Sequence, residues 1–255
     1  MNLLHTQTLG KGEPLVLIHG WAMHSGLWRD FAKSLARHYQ VICVDLPSHG
    51  NSPAIENFNL ESISQALAEV VPEQASYLGW SLGANVLLNF TEKYPEKVKR
   101  LILMAANPHF TATNHWQGMS VQLLQQFINN LSEDNRIILG RFLGLQVQGL
   151  TNAKSLLKTL KQRLAEYPTP DLETLKDGLN ILQTADCRPA LRNVTQPITA
   201  IFGEQDSLVP VEIAHAMQNL QPKMTLKIIP QAGHTPFLSH QQIVLEHIIE
   251  FMETS

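Results

Sequence analysis

Ser76-Tyr77-Leu78-Gly79-Trp80-Ser81-Leu82-Gly83-Ala84-Asn85-Val86-Leu87-Leu88 places a serine between an apolar run and an amphipathic one. The first run reads as a buried strand and the second as a helix, so Gly79–Gly83 form a G-x-S-x-G turn in a strand-to-helix setting. A serine on so sharp a turn takes a strained backbone that lifts its hydroxyl above the sheet. Gly79 and Gly83 are needed because a Cβ at either place would crowd the turn or the adjoining strand. The helix that follows aims free N–H groups and a positive dipole end at the place where an oxyanion would form.

Two more stretches extend this pattern. Upstream, Leu15-Val16-Leu17-Ile18 is a buried strand ending in His19-Gly20-Trp21. Downstream, Ile198–Gly203 is a strand followed by Glu204-Gln205-Asp206, and Leu226–Ile229 leads into Gln231-Ala232-Gly233-His234. The chain order Ser81, Asp206, His234 is one of three known orders of a serine triad. The residue types suit acyl transfer. A serine hydroxyl is a weak nucleophile and needs a base; a neutral imidazole supplies it; a carboxylate orients the imidazole and stabilises its charged form. In serine hydrolases with such an elbow the oxyanion donors are the N–H after the nucleophile and one from the first loop, here Leu82 and Trp21. Glu204 and Asp186 are the rival acids, and Asp206 has the better spacing after its strand. Of the eleven histidines, His24 and His49 sit in loops that edge the site and are held as minor candidates. His5 is placed at a frayed end and His19 in the oxyanion turn.

Composition narrows the class. With 255 residues and 44% hydrophobic content the chain can bury one sizeable core, and a net charge of −3 argues against general binding to nucleic acid or membrane. The two cysteines, Cys43 and Cys187, have no metal-like spacing, and no H-x-x-x-H or H-E-x-x-H occurs, so neither metal nor cofactor is expected. Without a signal-like N-terminus or a long apolar run, the expectation is a cytoplasmic monomer.

Strands and helices alternate up to Ala106, with a strand over Tyr39–Asp45 and a helix over Leu60–Val71. Such alternation predicts an α/β fold, a mostly parallel sheet with helices on both faces. Helical patterns alone then occupy Val121–Asn130, Asp134–Leu143, Asn152–Ala165 and Leu172–Thr184, before the sheet resumes at Ile198. The expected division is a core of 1–107 and 190–255 and a helical cap of 108–189 over the strand ends where ligands bind. Within the cap, Arg136, Arg141, Lys154, Lys158, Lys161 and Arg163 occur without one Asp or Glu between them. That run points to an acidic partner or substrate. Trp21, Trp80, Leu82, Phe142 and Leu208 flank these elements and are expected to line an apolar groove.

Gly79-Trp80-Ser81-Leu82-Gly83, His19-Gly20-Trp21, Asp206-Ser207-Leu208-Val209-Pro210 and Ala232-Gly233-His234 together resemble the α/β-hydrolases. Trp21 and Trp80, with Arg141-Phe142-Leu143-Gly144-Leu145-Gln146, are similar to the BioH-type esterases of biotin synthesis. That resemblance covers essentially the whole chain. It implies hydrolysis of the methyl ester of pimeloyl-acyl carrier protein, with small esters as surrogates. It also implies substrate contacts at Phe142, Leu143 and Gln146, and an acidic carrier protein meeting Arg136, Arg141, Lys154 and Lys158. The chain departs from common hydrolase patterns at Ser48, Asn51 and Ala84, none of which touches the triad. Two other readings share every motif: a C–C bond hydrolase of diketone-like metabolites, and a ligand-sensing protein that signals through its cap. Dehalogenases and epoxide hydrolases are disfavoured because their elbows carry Asp where this chain has Ser81.

Overall fold

The computed structural model describes residues 3–131 and 135–253, without the side chains at 135 and 136, so the expected contact Arg136 lies outside the described side chains. In chain order the elements are β1 (Thr6–Leu9), β2 (Pro14–Ile18), α1 (Arg29–Leu35), β3 (Gln40–Val44), α2 (Leu60–Ala68), β4 (Ala75–Trp80), α3 (Leu82–Lys93) and β5 (Val98–Met104). Then come α4 (Val121–Leu131), α5 (Asn135–Gln146), α6 (Ala153–Leu164), α7 (Leu172–Thr184) and α8 (Arg188–Asn193). The chain closes with β6 (Ile198–Gly203), α9 (Glu212–Leu220), β7 (Thr225–Ile229), α10 (Pro236–Ser239) and α11 (Gln241–Glu253).

The strands form one seven-stranded sheet in the order β1-β3-β2-β4-β5-β6-β7, in which only β1 runs antiparallel to its neighbour. Every residue of β4 is buried, as a central parallel strand covered on both faces requires. This is the α/β architecture expected from the alternation of strand and helix. Helices start where side chains cap them: Asn59 accepts from Ser62 N–H at the start of α2, and Asp171 from Thr174 N–H at the start of α7.

Several elements differ from expectation: α5 runs on to Gln146, past the expected end at Leu143, and its expected start at Asp134 lies outside the described residues. The helix expected to reach Val71 ends at Ala68, where the N–H groups of Val70 and Val71 turn back to Leu67 O. Val71 precedes Pro72, which disfavours helical backbone there. The edge strand β1 was absent from the sequence reading because Thr6-Gln7-Thr8-Leu9 shows no buried alternation. His5, expected to fray, donates its N–H to Ser52 Oγ and accepts from Asp45 N–H.

The sheet positions the site through its strand ends. Ser81 follows β4, Asp206 follows β6, His234 follows β7 and Gly20 follows β2, all at the same edge of the parallel strands. The first turn of α3 lies directly on the end of β2, since a Cβ at Gly83 would come within 2.6 Å of His19 O and nearer still to Ile18 O. At Gly79 an added Cβ would fall 2.6 Å from Gly83 O and 2.7 Å from Ala84 Cα. Backbone faces backbone there, so no side chain can swing aside. Gly83→Ala is therefore expected to lower the unfolding free energy by about 1–3 kcal/mol, read from urea denaturation. A midpoint equal to that of wild type would show that β2 yields at this contact.

Candidate active site

Ser81 has φ 55° and ψ −120°, a conformation that L side chains rarely adopt. It sits at the N-cap of α3, yet its hydroxyl caps nothing; its backbone is held instead, with Ser81 N–H donating to Met104 O. The turn thus leaves the hydroxyl outside the helix's own hydrogen bonding. Ala22, Ser48, Ala105 and Gln231 also have positive φ, and each of the five lies just beyond the C-terminal end of a strand. Strained backbone of this kind gathers where loops are held in defined shapes around a site.

Asp206 and His234 are brought together by the ends of β6 and β7. His234 Nδ1 lies 2.7 Å from Asp206 Oδ2, with both side chains buried. The other carboxylate oxygen accepts from the N–H groups of Leu208 and Val209, at 2.8 and 3.0 Å. Fixed in this way, the carboxylate selects the tautomer with the proton on Nδ1 and leaves a lone pair on Nε2. His234 Nε2 is buried and makes no hydrogen bond among the described residues. The rival acids are elsewhere: Glu204 is exposed and accepts from Gln231 N–H, and Asp186 pairs with Arg188. Trp80 Nε1 donates to His234 O at 2.8 Å, and its indole packs against Phe237 and Trp28. The histidine loop is therefore braced from the core by an aromatic cluster.

Leu82 opens α3, whose first N–H groups have no partner inside the helix. Gly20, just before Trp21, lies so close to the elbow that an added Cβ would be 3.2 Å from Ser81 Cβ. Trp21 reaches into the helical region, its Nε1 donating to Leu175 O at 2.9 Å and its ring meeting Phe142 edge-on at 4.8 Å. Gly178 of α7 packs against that indole, where an added Cβ would fall 2.9 Å from Nε1.

The loops behind Trp21 contain a polar cluster that the sequence motifs did not reveal. Buried Asp45 accepts from Ser25 N–H at 2.6 Å and Asn51 N–H at 3.0 Å, joining the loop after β2 to the loop after β3. His19 donates from Nδ1 to Gly20 O at 2.8 Å and accepts at Nε2 from Leu46 N–H at 3.0 Å. Both ring nitrogens are thus used in the neutral form. His49 lies 5.2 Å from His19, ring to ring, and donates to Pro47 O. Burial pushes His19 down to about 3, and burial together with His19 pushes His49 down to about 3. His24 is lowered too, chiefly by burial. These histidines order loops, and none contacts Asp206 or His234 by a hydrogen bond among the described residues.

Of the residues expected to line a substrate groove, Trp80, Leu82, Leu143 and Leu208 are buried, and Phe142 faces Trp21. Gln146 is buried, its amide atoms have no hydrogen-bond partner among the described residues, and its carbonyl lies close to Gly233. Ser207 Oγ donates to Leu145 O at 2.8 Å, so the end of α5 rests on the loops that carry Asp206 and His234. A cavity of about 580 Å³ lies away from Ser81, on α4, α5 and α6, with Arg141 and Lys154 on its wall. Lys158 is exposed on α6. Arg163 is not part of a free basic face: it pairs with Asp30 and donates to Gly26 O, while Glu166 pairs with Arg29.

The buried histidines carry a pH dependence whose sign follows from their shifts. Between the ordinary value of 6.5 and about 3, the unfolded chain binds protons that folded His19 and His49 refuse. Stability from these groups is complete above pH 6.5 and is lost as pH falls through that window. His49→Gln is expected to flatten the dependence of the urea midpoint on pH across it. An unchanged slope would remove His49 from the acid response.

The sequence profile of the α/β hydrolase fold matches residues 13–241. The pimeloyl-[acyl-carrier protein] methyl ester esterase of Methylococcus capsulatus is 38% identical over 252 residues, covering 99% of each chain. That of Salmonella newport is 39% identical over 241 residues, covering 94% of each. Among solved structures, a bromoperoxidase from Bacillus anthracis superposes with a TM-score of 0.90 at 19% identity, over 98% of this chain and 95% of its own, which is a likeness of fold. By the profile and these full-length relatives, the chain belongs to the α/β-hydrolase family and, within it, to the family of these methyl ester esterases.

Proposed function

We propose that this chain is a serine carboxylesterase that hydrolyses the methyl ester of a dicarboxylic acyl chain, the pimeloyl chain, held on an acyl carrier protein. The chemistry is carried by one observation: a buried Asp206–His234 pair at 2.7 Å whose outer imidazole nitrogen has no hydrogen-bond partner among the described residues. The substrate is the one named for the relatives that match along the whole chain.

Ser81 Oγ attacks the ester carbonyl as His234 Nε2 takes its proton, and Asp206 stabilises the imidazolium. The N–H groups of Leu82 and Trp21 hold the oxyanion, each worth about 3 kcal/mol in the transition state. Collapse breaks the bond to the methoxy oxygen, which leaves as methanol with the proton from His234. Water then attacks the acyl-enzyme with His234 again as base, freeing the carboxylic acid and restoring Ser81. Residues 108–189 act as a cap that excludes water and holds the acyl chain among Trp21, Phe142, Leu143 and Gln146. Exposed Arg141, Lys154 and Lys158, with Arg136, meet the acidic carrier, chiefly speeding encounter. Both cysteines are free, which suits a reducing cytoplasm. No helix among the described residues is long and apolar enough to cross a membrane.

Ser81→Ala is expected to abolish turnover of p-nitrophenyl butyrate and labelling by a fluorophosphonate, with little change in melting midpoint. Asp206→Asn is expected to lose roughly 10³–10⁴-fold in kcat, because the amide favours the wrong tautomer. Glu204→Gln should stay near wild type. If Glu204→Gln proves the more damaging change, the acid has been misassigned.

For the carrier, the measured quantity is kcat/KM for pimeloyl-carrier methyl ester divided by that for a small soluble ester. Charge reversal at Arg141, Lys154 and Lys158 together is expected to lower this ratio about tenfold, and added salt should lower it in wild type. A ratio indifferent to both would make the basic cap an ordinary solvated surface.

A further inference from the structure

The groove on α4, α5 and α6 encloses about 580 Å³, within the range of small-ligand sites. Its wall is mainly apolar, with Leu123, Phe127, Ile138 and Leu157 among the lining side chains. Leu123 on its wall is 42% exposed, and Val121 and Ile137, on the same two helices α4 and α5, are 43% and 53% exposed. Two cations, Arg141 and Lys154, complete the wall; among the described residues no carboxylate lines it and neither cation is in an ion pair. Gly144 also lines the groove, and a Cβ added there meets nothing within 4 Å. The trough is therefore deepened by a missing side chain in the last turn of α5, inside a helix, where glycine is otherwise unfavourable.

An apolar trough beside two cations fits a ligand with one unbranched hydrocarbon chain and one anionic end. We propose that this groove binds a free medium-chain acyl carboxylate, its chain along Leu123, Phe127 and Leu157 and its carboxylate between Arg141 and Lys154. Arg suits the bidentate geometry of a carboxylate, and each buried methylene adds to the apolar part of the affinity. The binding does not depend on the esterase reading. Only its consequence does: an acyl acid held there would occupy two of the cations proposed to meet the carrier.

Calorimetric titration of the full chain with decanoate, below its micelle concentration, tests the inference. Wild type and enzyme phosphonylated at Ser81 are expected to bind alike, and 1-decanol about tenfold more weakly, since hydrogen bonds to charged groups contribute on that scale. Arg141→Ala with Lys154→Ala should weaken decanoate to the level of decanol. A Cβ at Gly144 meets nothing within 4 Å, so Gly144→Leu, which extends into the trough, should cost at least about tenfold in affinity while the melting midpoint stays at or above that of wild type. Loss of binding on phosphonylation would put the ligand at Ser81 and overturn the proposal. So would equal binding of decanol and decanoate, or wild-type affinity in Gly144→Leu. Attachment to anionic lipid vesicles without affinity for monomeric decanoate would make the groove a membrane contact and equally overturn it.

Discussion

The close approach of α3 to the end of β2 sets the geometry of everything around Ser81. Gly83 lies against the carbonyls of Ile18 and His19, and Gly79 against the backbone of the same helical turn. With no side chain between them, the helix starts within one residue of the end of β4, and Ser81 absorbs the reversal at φ 55°. The same approach brings Gly20 beside Ser81 Cβ, so two loops from neighbouring strands share one small space. The strain is carried by a sheet whose central strand is wholly buried.

Around that centre, buried polar contacts hold the loops while exposed ion pairs add little. Asp45 ties two loop backbones through its carboxylate oxygens, those of Ser25 and Asn51, and its own carbonyl accepts from Ser52 Oγ. His19 is useful there because it is neutral, donating on one side and accepting on the other. Such groups are costly to orphan, since a buried donor or acceptor left alone loses about 1–3 kcal/mol. By contrast the pairs Arg29–Glu166 and Arg163–Asp30 are partly exposed and contribute about 0–1 kcal/mol each. They orient α6 against the segment after Trp21 more than they stabilise it. The contacts of Trp21 with Leu175, Gly178 and Phe142 are buried, and they join the helical region to the loop that carries the proposed oxyanion donor.

The basic character of the α5–α6 region also takes on detail. In the sequence six cations stand in one unbroken run, but Arg163 is drawn down to Asp30 and Gly26 O. Arg141 and Lys154 instead flank an apolar groove, a pairing of chemistries that net charge alone does not express. Between them Gly144 keeps the groove open on a helix that would otherwise gain from a side chain.

Much of this was legible in the chain because the signals are local. The elbow, the buried strands and the order Ser81, Asp206, His234 depend on spacing of a few residues, and the alternation of strand and helix implied the parallel sheet. Spacing also favoured Asp206 over Glu204; Asp206 lies beside His234, whereas Glu204 accepts from Gln231 N–H. What stayed hidden depends on contacts across long separations. β1 has no apolar alternation because it is an edge strand, and its pairing with β3 alone defines it. Asp45 looks like an ordinary loop residue, and His19 and His49, though the sequence sets them in loops near the site, take their roles only from burial and neighbouring backbone groups. Arg163 and Arg141 are alike in sequence, and only the placement of Asp30 against one and the groove against the other separates them. Periodicity and turn chemistry act within a few residues, whereas burial and partner choice arise only when distant segments pack.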